Sequence, residues 1–232
     1  MNKLHIICHM TTSLDGKVTG SFLASPACQQ SIQHYYQIHR DFRADAFACG
    51  RITMEESFTG SWQPDYSAFT GPSLSREDYI AATDVHFFAV AFDRQGRLGW
   101  QKSVIADEDP GYDGAHIVEV LCENTPDANL AYFRSIGVSY IFAGKTDLDL
   151  PLALKKLHDL FNIKILLLEG GGTINGAFHQ AGLINELSLV VAPVTAASSG
   201  RSLFETGEVL PFCLTDTQTL PGSTLWLRYQ HL

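Results

Sequence analysis

The stretch over residues 163–185, IKILLLEGGGTINGAFHQAGLIN, limits the possible folds more than any other part of the chain. Ile163, Ile165, Leu166, Leu167 and Leu168 form an apolar run too short for a helix, which predicts a strand buried on both faces. Gly170, Gly171 and Gly172 follow, so three side chains are missing where the chain leaves the sheet. Backbone without a Cβ takes positive φ and comes close to a ligand. Thr173 offers an N-cap to the next helix, which carries Ile174, Phe178 and Ala181 on one face and stops at Gly182. Bare amides at such a helix start form an anion site of the kind that takes nucleotide phosphates. Tight packing explains three glycines equally well, and the spacing is neither GxGxxG nor GxxxxGK[ST]. Glu169 tips the balance. It sets a carboxylate at the carboxyl end of a central strand, where ligands of open α/β sheets bind.

The remaining sequence alternates strand and helix patterns. Strands are predicted over 4–10, 45–49, 85–92, 101–106, 115–121, 138–143 and 186–192, with a late strand over 220–229. Helices are predicted over 26–42, 51–58, 126–136 and 151–160, several opened by proline. Residues 13–16 make a turn, and 62–77 form a polar loop long enough to be functional. This order predicts one α/β domain over residues 1–232, with a mainly parallel central sheet, an antiparallel C-terminal finish and helices on both faces. Four segments, 11–17, 50–53, 144–146 and 169–175, fall at the carboxyl ends of strands, and each of them starts with or contains glycine.

Composition narrows the partners. A net charge of −9 argues against nucleic acid, so anionic ligands are met by local amides and a few placed cations. The five cysteines stand singly, with no CxxC pair, and Cys8 and Cys49 lie in strand-like runs as small buried hydrophobes. A reduced, cytoplasmic chain is expected. The start, MNKLHIICHM, is too short and too polar for a signal peptide, and no apolar run approaches a membrane span. No metal site is expected. His34 and His39 are five apart and share no helix face, and His179 is expected on the solvent side of its helix.

Three segments, MTTSLDGKV, ACGRITMEE and LLLEGGGTINGAFHQAGLINELSLVVAPV, together resemble the reductase domain of riboflavin biosynthesis. That domain is the C-terminal half of a bifunctional deaminase–reductase and has a dihydrofolate-reductase-like fold. The resemblance runs from Leu4 to Phe204. GRITME is similar to the dihydrofolate-reductase side of the superfamily, where a Gly-Arg-x-Thr turn opens a helix beneath the NADPH phosphates. The resemblance implies NADPH, hydride transfer to a small heterocyclic or ribosylamino substrate, and a homodimer. A diaminopyrimidine ribosylamino phosphate is the default substrate. The resemblance places Gly50, Arg51, Thr53, Gly144, Gly170, Gly171, Gly172, Thr173 and Asn175 at the cofactor, and Asp15, Lys17 and Glu169 at the catalytic centre. A cis peptide among the adjacent glycines is a further expectation from related reductases.

The chain departs from that family twice. No HxE…PCxxC zinc signature occurs, so a stand-alone reductase is expected. The family's Asp-Pro-x-Leu-Thr-x-Arg stretch, which helps hold the phosphoribosyl group, is replaced by FTGSWQPDYSAFTG over 58–71.

Each candidate has a plainer reading beside the functional one. Asp15 either forms the SLDG turn or acts on the substrate, and Lys17 is either solvated or binds a substrate phosphate. Glu169 binds a ring amino group or serves as a helix-dipole partner. Arg51 takes a 2′-phosphate or pairs with Glu55 four residues on. Thr53 and Thr173 donate to pyrophosphate or cap helices, and Asn175 pins the glycine loop. Pterin reduction is a second function, but residues 25–40 carry no Asp or Glu to face a pterin. A non-catalytic nucleotide-binding protein on the same fold is the third. The apolar run at Val190, Val191, Ala192 and Val194 and the β-rich tail point to a sheet edge covered by a second copy.

Overall fold

The structure is a computed structural model that describes residues 4–71, 73–196 and 200–232. In chain order its elements are β1 (His5–Thr12), α1 (Pro26–Asp41), β2 (Ala46–Gly50), α2 (Arg51–Met54), β3 (Phe88–Phe92), β4 (His116–Leu121), α3 (Asp127–Ile136), β5 (Ser139–Phe142), α4 (Leu150–Phe161), β6 (Ile165–Leu168), α5 (Gly172–Gln180), β7 (Glu186–Val191), β8 (Phe212–Leu220) and β9 (Thr224–His231). The chain divides into two compact units. One is formed chiefly by Asp45–Lys164, the other by His5–Ala44 with Ile165–Leu232.

In the first unit β2, β3, β4 and β5 pair in that order, all parallel. Strands β3 (FAVAF) and β4 (HIVEVL) are buried throughout, as parallel strands covered on both faces must be. Local chemistry sets the helix ends. The Asp149 side chain accepts from the Leu152 amide at the start of α4, and Gly137 closes α3 in the left-handed conformation, φ 74°.

The second unit has β1 between β6 and β7, all parallel, and then β9 and β8 added antiparallel to β7. Helix α1 packs on β1 and β7. A mainly parallel sheet with an antiparallel finish is the predicted fold class. The nonprolyl peptide between Gly170 and Gly171 is cis, also as expected.

The predicted strand over 101–106 does not form. Only Val104 bridges to β4, at His116. From Val118 onward that edge of β4 belongs to β5, so the segment has no room to pair further. The tail holds two strands rather than one, turning at Pro221–Ser223 with Gly222 at φ 75°. Strand β8 (FCLTDTQTL) is an edge strand exposed on both faces, so it lacks the alternation that marks a half-buried strand. The helix predicted over 51–58 tightens to α2 and widens into a π-helical turn over Glu55–Thr59. Residues 58–71 are not an open loop. A short 3₁₀ turn, Tyr66–Phe69, sits within it, and the rings of Trp62, Tyr66 and Phe69 all pack on Tyr132 of α3. A Cβ on Gly99 would stand 1.9 Å from the Trp62 carbonyl oxygen, so this segment is held closely from below as well.

Candidate active site

In the second unit β6 ends at Leu168, and Glu169 follows, buried. Its Oε1 accepts from Nδ1 of His39 on α1 at 2.7 Å, with the two side chains only 3% and 2% exposed. The glycine turn begins at Gly170, φ 99°, where a Cβ would stand 3.1 Å from Met10 Cε. Helix α5 starts at Gly172 with Gly171 as N-cap and without a side-chain cap. The predicted N-cap, Thr173, lies inside the helix, and its hydroxyl donates to Glu205 Oε2 at 2.7 Å. The helix thus begins two residues sooner than predicted, with its N-cap at Gly171 instead of Thr173.

Residues 200–208 lie along α5 as a strap. A Cβ on Gly172 would be 2.4 Å from the Ser202 carbonyl oxygen, and one on Gly176 would be 2.7 Å from Thr206 Oγ1. The Glu205 amide donates to the Gly172 carbonyl at 3.2 Å, and Asn175 Nδ2 to the Leu203 carbonyl at 3.3 Å. Asn175 therefore pins this region, while its Oδ1 is buried and meets no donor among the described residues. His179 is not on the solvent side. It is buried, stacks on Phe204 at 4.4 Å and bonds the Glu208 carbonyl at 2.8 Å. Local periodicity gave no sign of the strap that covers this face of α5.

The same strap brings in the SLDGK turn. Lys17 bridges to Ser202, and its Nζ donates to Ser202 Oγ at 3.3 Å. The Lys17 amide donates to Ser13 Oγ at 2.9 Å. The Ser13 hydroxyl donates to Asp15 Oδ1 at 2.7 Å, and the Ala196 amide donates to the same oxygen at 2.8 Å. These bonds hold the Asp15 carboxyl below the usual carboxylate range, so it is ionised at neutral pH and shapes the turn. Asp15, Lys17, the glycine turn, Thr173 and Asn175 thus belong to one neighbourhood.

Below that turn His9 lies buried on β1. Its Nε2 proton goes to the Tyr35 carbonyl, 3.1 Å away, which leaves Nδ1 to accept from the Ser188 hydroxyl at 3.0 Å. Trp226 Nε1 donates to that hydroxyl at 2.9 Å. Burial lowers the His9 pKa and favours the neutral ring. Burial, and then the Glu169 carboxylate, push the neighbouring Cys8 thiol up.

Gly50, Arg51, Thr53 and Gly144 lie in the first unit. Gly50 ends β2 and caps α2, which carries Arg51 and Thr53. Arg51 Nη1 lies 2.5 Å from Glu55 Oε2, so the helix ion pair forms. Gly144, φ 109°, is required by its own loop, since a Cβ there would stand 2.0 Å from the Asp147 carbonyl oxygen. This unit also buries Glu119 on β4, whose carboxyl accepts from Trp100 Nε1. Burial, and then Asp93, raise the Glu119 pKa well above normal. Sequence patterns revealed neither Glu119 nor the residues His39 and Glu205. Glu119 occupies an apolar strand position, and His39 is 130 residues from its partner.

Parallel strands that finish in an antiparallel pair, with a glycine turn where a parallel strand enters a helix, define the dihydrofolate-reductase-like α/β class. The chain belongs to the RibD C-terminal domain family, whose model matches residues 4–225. It is 23% identical over 205 residues to the 2,5-diamino-6-ribosylamino-4(3H)-pyrimidinone 5′-phosphate reductase of Methanothermobacter thermautotrophicus, covering 88% of this chain and 84% of that protein. Among solved structures it is similar to a pyrimidine reductase-like protein from Corynebacterium diphtheriae, with TM-score 0.70, 17% identity, and coverage of 100% of this chain and 93% of that one. The Saccharomyces cerevisiae riboflavin biosynthesis reductase matches with TM-score 0.65 and 12% identity, over 100% and 91% of the two chains. No helix among the described residues is long and apolar enough to cross a membrane.

Proposed function

We infer that this protein is an NADPH-dependent reductase that reduces a diaminopyrimidine or aminouracil ribosylamino 5′-phosphate in riboflavin biosynthesis. The carrying observation is the joining of Lys17 to the glycine turn through Ser202, which sets a cation beside backbone suited to anions. Family membership and the curated relative support the reaction class. The residues of the second unit fit a nucleotide. The start of α5 has no side-chain cap, Gly170 to Gly172 carry no Cβ, and the buried Asn175 Oδ1 meets no donor among the described residues.

A bound nicotinamide supplies the hydride. Lys17 binds the substrate phosphate or polarises the accepting group, its position fixed by the Ser13–Asp15 turn and by Ser202. Asp15, ionised and already bonded twice, holds that turn and gives up no proton at neutral pH. Glu205 occupies the Thr173 hydroxyl, so pyrophosphate contact with Thr173 requires the carboxylate to release it. In the first unit Arg51 and Thr53 are assigned to the cofactor phosphates, with Arg51 exchanging Glu55 for the 2′-phosphate.

The reading treats the chain as one reductase domain, because one family model runs across both units. It includes a homodimer in the cytoplasm, with the exposed edge strand β8 and Leu214 offering a surface that a second copy covers. Light scattering checks the dimer. The activity is tested by incubating the protein with NADPH and the ribosylamino phosphate and weighing the product. A gain of two hydrogens, dependent on NADPH, is the expected result. Tight NADPH binding with unchanged substrate would instead favour a non-catalytic nucleotide-binding role.

A further inference from the structure

Three consecutive glycines provide no side chain to hold a turn from within. The turn from Gly170 to Gly172 must be held by what flanks it. After it, Asn175 is tied to the Leu203 carbonyl and Gly172 to the Glu205 amide. Before it, Glu169 is tied to His39. Nδ1 of His39 and Oε1 of Glu169 are 2.7 Å apart, and both side chains are almost wholly out of water.

A buried histidine–carboxylate pair is a poor device for stability alone. Desolvating both groups offsets most of their attraction, and well-packed apolar side chains of similar size would serve as well. What the pair adds is direction. A hydrogen bond between a ring nitrogen and a carboxylate fixes the carboxylate's orientation, which apolar contact does not. Glu169 is the last residue with a side chain before Gly170, so its orientation sets the path on which the turn leaves β6.

We propose that His39 is a positioning residue which, acting through Glu169, holds the glycine turn in its cofactor-binding form. The inference rests on the reading of that turn as part of the cofactor site. Helix α1 thereby becomes part of the cofactor machinery. His9, one element away on β1, carries the same helix through its bond to the Tyr35 carbonyl.

Two substitutions at one position separate positioning from packing. His39→Leu fills the space and removes the donor. His39→Asn keeps a donor close to where Nδ1 stands. NADPH affinity is read by fluorescence titration, and folding by thermal unfolding of the same samples. The expected result is NADPH binding weakened about tenfold or more in His39→Leu, with most of the loss recovered in His39→Asn. The KM for the ribosylamino phosphate at saturating NADPH stays within about twofold of wild type, because the substrate side is untouched. Glu169→Gln gives a second path if His39→Leu fails to fold. It should itself weaken NADPH binding, and combined with a folded His39→Leu its loss should not add, since both act on one contact. Wild-type affinity in His39→Leu overturns the inference, as does equal impairment of His39→Leu and His39→Asn, or additive losses in the double variant. Failure of the wild type itself to bind NADPH overturns the reading of the turn and the inference with it.

Discussion

Two of the buried glutamates, Glu119 in the first unit and Glu169 in the second, are treated in opposite ways. Glu119 sits mid-strand on β4, where burial and Asp93 raise its pKa and favour the neutral form, with Oε2 unpartnered among the described residues. Glu169 sits at the end of β6, beside the glycine turn, and has a histidine reserved for it. The Glu119 carboxyl accepts from the Trp100 indole N–H, and burial favours its neutral form. Glu169, on the reading proposed above, aims the chain into a cofactor-binding turn, and it has a fixed partner. The proposed reading makes Glu169 part of a site and Glu119 part of the packing, and each side can be tested.

The largest effect is expected at the paired glutamate. Glu169→Ala removes one side of the buried pair with His39 and should cost about 3–5 kcal/mol in urea unfolding. A cost below about 1 kcal/mol would put Glu169 in the same class as Glu119. Next is Gly172→Ala. Its Cβ meets backbone, the Ser202 carbonyl oxygen at 2.4 Å, so the strap must lift from α5 at a cost of about 1–3 kcal/mol. Limited proteolysis should then cut within residues 200–208, and an uncut strap would show that the helix yields instead.

Glu119 answers through pH. Its folded pKa lies above the unfolded value, so the folded state holds the proton after the unfolded chain has lost it. Stability contributed in this way is full below the unfolded pKa and falls as pH rises from there toward the folded pKa, by at most about 1.4 kcal/mol per pH unit. Glu119→Gln removes that slope, so its Tm relative to wild type should rise from pH 5 to pH 8. A constant difference would mean that Glu119 ionises normally. The smallest effect is expected at Arg51. Arg51→Ala breaks a half-exposed helix pair worth about 0.3–0.5 kcal/mol and leaves Tm nearly unchanged. It should still weaken NADPH more than NADH, and equal loss for both would confine Arg51 to its pair with Glu55.

The local features of this molecule were legible in the sequence. The buried strand before the glycines and the helix stop at Gly182 are set by neighbours a few residues away, and so is the SLDG turn, though Ala196 later ties it down from afar. Cys8 and Cys49 are buried as predicted, because they sit in apolar strand runs. What long-range packing decides was not legible. The strap over residues 200–208 turned His179 from a surface residue into a buried one, and it gave Thr173 a carboxylate partner in place of a cap. The contact of His39 with Glu169 leaves no mark in the sequence of α1, since its partner arrives with β6. Strand β8 was hidden because an edge strand exposed on both faces needs no hydrophobic alternation.

The central claim is that this chain reduces a ribosylamino phosphate with a hydride from a nicotinamide. The most direct measurement uses NADPH carrying deuterium on the transferring carbon, followed by mass spectrometry of the product. Transfer of one deuterium to the sugar carbon bonded to the amino nitrogen is the predicted result, with transfer slowed at subsaturating substrate in Lys17→Ala. A product without deuterium, or none formed by protein that binds NADPH tightly, would contradict it.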